Sequence, residues 1–117
     1  MSSQLAAIDL GSNSFHMIVA RLDGDRLKIL DRMRERVRLG AGVDKKGRIT
    51  PQAQKRALDC IERFGQRVRE LHVGRVRAVG TNALRRAKNG SEFLSKAQDA
   101  LGHPIEIIAG REEARLI

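Results

Sequence analysis

The sequence predicts an α/β domain built on a five-stranded mixed sheet, with elements in the order β-β-β-α-β-α-β. Three observations carry this. Short apolar runs separated by turn residues open the chain. A long amphipathic stretch with a capped start follows at residue 50. Two further apolar runs then alternate with helical patterns, the arrangement that builds parallel strands. The 117 residues make one ordinary domain, which on folding buries roughly two-thirds of its unfolded surface.

The first strand is read from Leu5 to Leu10 and the second from Ser14 to Leu22. The turn between them is too short for anything but a hairpin. Asp23-Gly24-Asp25 marks the next turn, and Arg26 to Leu39 reads as a third strand. Its end alternates, with Met33, Glu35, Val37 and Leu39 on one face and Arg32, Arg34, Arg36 and Arg38 on the other. Gly40 to Gly47 is a loop rich in glycine and charge. Thr50-Pro51 then offers an N-cap with proline at the first helical position.

Ala57, Ile61, Phe64, Val68 and Leu71 lie on one face of the helix that starts there, and Gly74 is a plausible stop. A fourth strand spans Arg75 to Val79, Gly80-Thr81 leads into a short helix over Asn82 to Ala87, and Asn89-Gly90 breaks it. Ser91 is the expected cap of the next helix, whose inner face is Phe93, Leu94, Ala97 and Leu101. Gly102 and Pro104 end that helix, Ile105 to Ala109 makes the fifth strand, and a helical turn follows from Arg111.

Composition narrows the partners. There are 23 Lys and Arg against 14 acids, a net charge of +9, which points to an anion such as a nucleotide, a polyphosphate or a nucleic acid. With no Trp or Tyr and three Phe, aromatic platforms for stacking bases are scarce, so nucleic acid is the weaker option. Cys60 is the single cysteine and falls in an apolar helical stripe, where a buried thiol in a reducing compartment is expected. No leader pattern and no apolar run near the ~20 residues of a membrane span are present, so a cytoplasmic protein is expected.

Three segments carry chemistry. After the first strand comes Asp9-Leu10-Gly11-Ser12-Asn13-Ser14. Gly11 permits close backbone approach to an anion, the amides and hydroxyls of Ser12, Asn13 and Ser14 can point inward, and Asp9 can hold a hydrated divalent cation. A plain polar hairpin turn has the same composition. Gly80-Thr81-Asn82 opens a helix directly after a strand, where unpaired amides hold anions, and Arg85 sits one turn in. An ordinary capped helix with solvent-facing arginines reads the same. Glu112-Glu113 follows the fifth strand, where one carboxylate can activate water, or both can simply complement a helix dipole. The arginine row from Arg32 to Arg38 is either a solvated strand face or a polyanion track. His16, His72 and His103 lack metal-ligand spacing.

The element order resembles the ribonuclease-H-like lobe of actin, sugar kinases and heat-shock chaperones, which use two such lobes. Residues 1–117 are therefore expected to be a first lobe, a fragment lacking the second. Taken together, residues 6–17, 36–40, 79–85 and 105–117 resemble, in order, the exopolyphosphatase and guanosine pentaphosphate phosphatase (Ppx/GppA) family. That resemblance implies hydrolysis of the terminal phosphate of inorganic polyphosphate, or of the 5′ terminal phosphate of guanosine pentaphosphate, with magnesium, by an actin-like protein that is a homodimer at full length. It implies Glu113 as the base that activates water and Asp9 as the magnesium carboxylate. Gly11, Ser12, Asn13 and Ser14 fall on its first phosphate loop, and Arg85 matches its phosphate-binding arginine, with Thr81 and Asn82 nearby. The family's second, glycine-rich phosphate loop would follow the Glu112-Glu113 pair by a few tens of residues, so half the site is expected here and little activity from it alone. A basic nucleic-acid-binding module without catalysis is the reading from another class.

Overall fold

A computed structural model describes residues 3–108. Three consecutive strands, β1 (Gln4–Leu10), β2 (Phe15–Asp23) and β3 (Arg26–Glu35), form an antiparallel meander. Helix α1 (Pro51–Val68) then leads to β4 (Val76–Thr81), short α2 (Asn82–Arg86), α3 (Gly90–Leu101) and β5 (Glu106–Ile108). Strands β1 and β4 pair in parallel, as do β4 and β5, giving the sheet order β3-β2-β1-β4-β5. The expected mixed sheet and element order are both present.

Period-two alternation decides which face is covered. Ala6, Ile8 and Leu10 of β1 are buried, while Ala7 and Asp9 between them are exposed. The buried side joins Phe15, Met17 and Val19 of β2 and Ala78 of β4 in one core with Ala57, Ile61 and Phe64 of α1 and Phe93 and Leu101 of α3. All three phenylalanines are buried there, so none is free to stack on a ligand.

Helix α1 starts as its sequence suggests: the Thr50 hydroxyl accepts from the Ala53 amide at 3.2 Å, and Pro51 opens the helix. Its contact with α3 is close. A Cβ added to Gly65 would stand 2.3 Å from the Ala100 carbonyl oxygen.

Several element ends shift by a residue, and four elements depart further from the sequence reading. Strand β3 stops at Glu35, not Leu39, opposite Phe15 where its partner β2 begins, and Arg38 beyond it takes the left-handed conformation with φ +55°. Val37 and Leu39 stay buried, but in the core under α1 instead of along a strand. Helix α1 ends at Val68, and Leu71 is held by a tight turn in which its amide donates to the Val68 carbonyl at 2.9 Å. Gly74 lies in a 3-10 turn after that helix. Asn89, not Ser91, precedes α3, and its side chain is drawn away from the helix to make two bonds with the backbone of Ile49, at 2.9 and 3.0 Å. Thr81 is the last residue of β4. Ala109 and the helical turn expected from Arg111 lie outside the described residues. Among the described residues no helix is long and apolar enough to cross a membrane.

Candidate functional site

Strand register assembles the site. Leu10 pairs with Gly80, and Thr81 pairs with Ile108, so β1, β4 and β5 end at one edge of the sheet. The Gly11–Ser14 turn and the β4–α2 junction are thereby neighbours, although about seventy positions separate them in the chain. Ser12 and Thr81 line a single narrow cleft with Leu39, Gly40, Val43, Ile49, Ala83 and Leu84. Its volume is about 20 Å³, enough for a water-sized group and less than a phosphate needs.

The turn itself is tightly held. The Gly11 amide donates to the Ser14 carbonyl at 3.1 Å, and a Cβ on Gly11 would meet that oxygen at 3.0 Å. Gly11 is therefore small to close the turn, and its amide is engaged there instead of being offered to an anion. The amides of Ser12, Asn13 and Ser14 have no acceptor among the described residues. The carbonyls of Ser12 and Asn13 accept from the amides of Gly40 and Arg38, each at 2.8 Å. This bracing by residues 38–40 was not foreseen from the sequence. The signal for it is Gly40, where a Cβ would press on Ser12 Cβ at 3.3 Å.

Two hydroxyls at this edge are buried without a partner among the described residues, Ser14 Oγ and Thr81 Oγ1. Thr81 precedes α2 but its side chain does not cap it. A buried hydroxyl left unpaired costs about 1–3 kcal/mol, which an incoming anion or water recovers. Ser12 and Asn13 are exposed and Asn82 is half-buried. Arg85 is exposed on α2 and forms no ion pair among the described residues. With five residues, α2 contributes little macrodipole, so side chains and free amides must supply most of the attraction.

Asp9 lies on the face that α1 and α3 leave uncovered, with His16 as its partner on β2 and Arg34 beyond it on β3. The carboxylate is exposed and makes no hydrogen bond or ion pair among the described residues. No group of three metal-ligating side chains occurs among those residues. Glu113, the expected base, lies outside them.

Away from this edge, Arg63 holds Glu35 in a short ion pair, which keeps that carboxyl below its usual range. Burial, with Glu35 beside it, pushes the Cys60 thiol up, so it is an inert core group. His103 is buried with Nε2 donating to the Val68 carbonyl at 2.7 Å, a structural tie between α1 and the end of α3.

The profile of the Ppx/GppA phosphatase family matches residues 18–117. The chain belongs to this family. The Aquifex aeolicus member of the Ppx/GppA family is 30% identical over 98% of this chain, with a TM-score of 0.85. An exopolyphosphatase from Cytophaga hutchinsonii is 34% identical over 97%, also at 0.85, and an exopolyphosphatase-like protein is 36% identical over 98%, at 0.83. The chain spans 38%, 36% and 35% of the lengths of those three proteins.

Proposed function

We propose that this chain is the first lobe of an exopolyphosphatase, which removes the terminal phosphate of inorganic polyphosphate by magnesium-assisted attack of water. The observation that carries the reading is the meeting of Ser12 and Thr81 on one cleft, beside three unengaged amides and two unpartnered hydroxyls. Phosphoryl transfer asks a protein mainly for positioning and charge neutralisation. These groups, with Arg85, suit the binding and orientation of terminal phosphoryl oxygens. A chain of phosphates has no base to stack, in keeping with a cleft that has no aromatic side chain among its described lining residues.

Asp9 fits a magnesium ion. Mg²⁺ keeps several waters and is held by one or two carboxylates together with substrate phosphates, so a single free carboxylate beside a phosphate loop is enough. When bound, the ion neutralises phosphate charge. Glu113 takes the proton of the attacking water as its oxygen bonds to the terminal phosphorus. The bridging P–O bond then breaks, releasing orthophosphate and a chain one unit shorter. Strand β5 ends beside Thr81, and Glu113 follows Ile108 by five residues, a span of at most about 18 Å of chain.

The test uses the full-length protein that carries this lobe, expected to be cytoplasmic and dimeric. Glu113→Gln should lower phosphate release by about 10²–10⁴-fold while polyphosphate binding is kept. Unchanged turnover would remove Glu113 from the mechanism, and indifference of every activity would favour a pure binding module. Faster turnover of guanosine pentaphosphate than of long-chain polyphosphate would assign the other activity of the family.

A further inference from the structure

Arg38 is the only described non-glycine residue with a positive φ. Elsewhere the chain uses glycine for left-handed turns, at Gly24, Gly47 and Gly102. Arginine gains nothing locally from that conformation, unlike Asn or Asp. Its strain is held in place by the site: the Arg38 amide is bonded to Asn13 and the Gly40 amide to Ser12. Both anchors are the phosphate turn.

The side chain is not needed for the fold. Arg38 is exposed, and its guanidinium makes no hydrogen bond or ion pair among the described residues. Arg56 and Arg63, on the helix that follows, are engaged with the Val37 carbonyl and with Glu35. An exposed cation carried on strained backbone, one hydrogen bond from the Ser12–Ser14 turn, is a conflict between local preference and structure of the kind that marks function.

We propose that Arg38 binds the phosphoryl groups of the substrate chain that follow the one being removed, so that the left-handed turn serves to present a guanidinium beside the Ser12–Ser14 loop. This rests on the polyphosphatase reading. Its fork of donors suits the paired oxygens of a phosphoanhydride chain.

Arg38→Gly separates the two roles, because glycine suits the backbone better and removes the charge. In the full-length protein with magnesium, the melting temperature should stay the same or rise. The calorimetric Kd for tripolyphosphate and the KM for long-chain polyphosphate should each rise about tenfold. Arg38→Lys should recover part of both losses. Unchanged Kd and KM in Arg38→Gly would overturn the assignment, as would losses that appear only with a fall in melting temperature. A wild type that binds tripolyphosphate without hydrolysing it would end the hydrolase reading, while the Kd comparison still decides for or against Arg38. A wild type with no polyphosphate affinity would overturn both.

Discussion

Glu35 shows how a single residue ties the edge strand to the helix behind it. Its carboxylate meets Arg63 of α1, and that cation lowers its pKa below the ordinary carboxylate value. A depressed acid contributes stability above its unfolded pKa, and this is lost as pH falls through the folded value. Both side chains are more than 40% exposed, so solvent screening keeps the contribution to at most about 1 kcal/mol. Glu35→Gln should therefore lower stability slightly at pH 7 and leave it nearly unchanged below the carboxylate range. Denaturant melts at both pH values check this, and an equal loss at pH 7 and at low pH would mean the pair acts through packing alone. The site residues divide in the same local way. Asp9 and the small residues from Gly11 to Ser14 are legible in the sequence because acid, glycine and hydroxyls after an apolar strand have a chemistry of their own. Arg38 is not, because nothing in an Arg-Val-Arg alternation announces a positive φ.

Between elements, close approach outweighs propensity. Gly65 lies in the interior of α1, where alanine would favour the helix by about 1 kcal/mol. Its missing side chain leaves room for the Ala100 carbonyl and Leu101 Cα, which are backbone atoms that cannot rotate away. Overpacking costs about 1–3 kcal/mol, so the steric effect should win. Gly65→Ala is expected to destabilise the protein by about 1–2 kcal/mol in urea melts, and a stabilised variant would show that the helices separate freely. The apolar periodicity of α1 and α3 predicts their inner faces correctly, since a 3.6-residue repeat is a local property. It does not predict where they end or what caps them. Asn89 is drawn off its helix by a segment forty positions away, and such competition is invisible in a local window.

For the whole molecule, the net charge of +9 and the single assembled edge act together. A basic surface attracts polyanions over a distance set by the Debye length, roughly 10 Å at 0.1 M salt. These 117 residues by themselves should bind polyphosphate with an affinity that falls as salt is raised, yet release almost no phosphate. The chain spans little more than a third of its relatives' length. Phosphate release by these 117 residues near the rate of a complete relative would refute this, and salt-insensitive binding would refute the electrostatic account.

The chain's residues by themselves determined the α/β class, the order of elements, the aliphatic core and the small-residue turn after the first strand, because alternation, helical period and turn chemistry are encoded within a few neighbouring positions, and four motifs in order carried the resemblance to a phosphatase family. Tertiary structure alone decided that Leu10 lies beside Gly80, that Ser12 and Thr81 share a cleft, that the third strand breaks before Arg38, and that this arginine braces the turn. Each of these depends on parallel pairing or packing between distant segments, where the free energy comes from contacts that no local stretch of sequence contains.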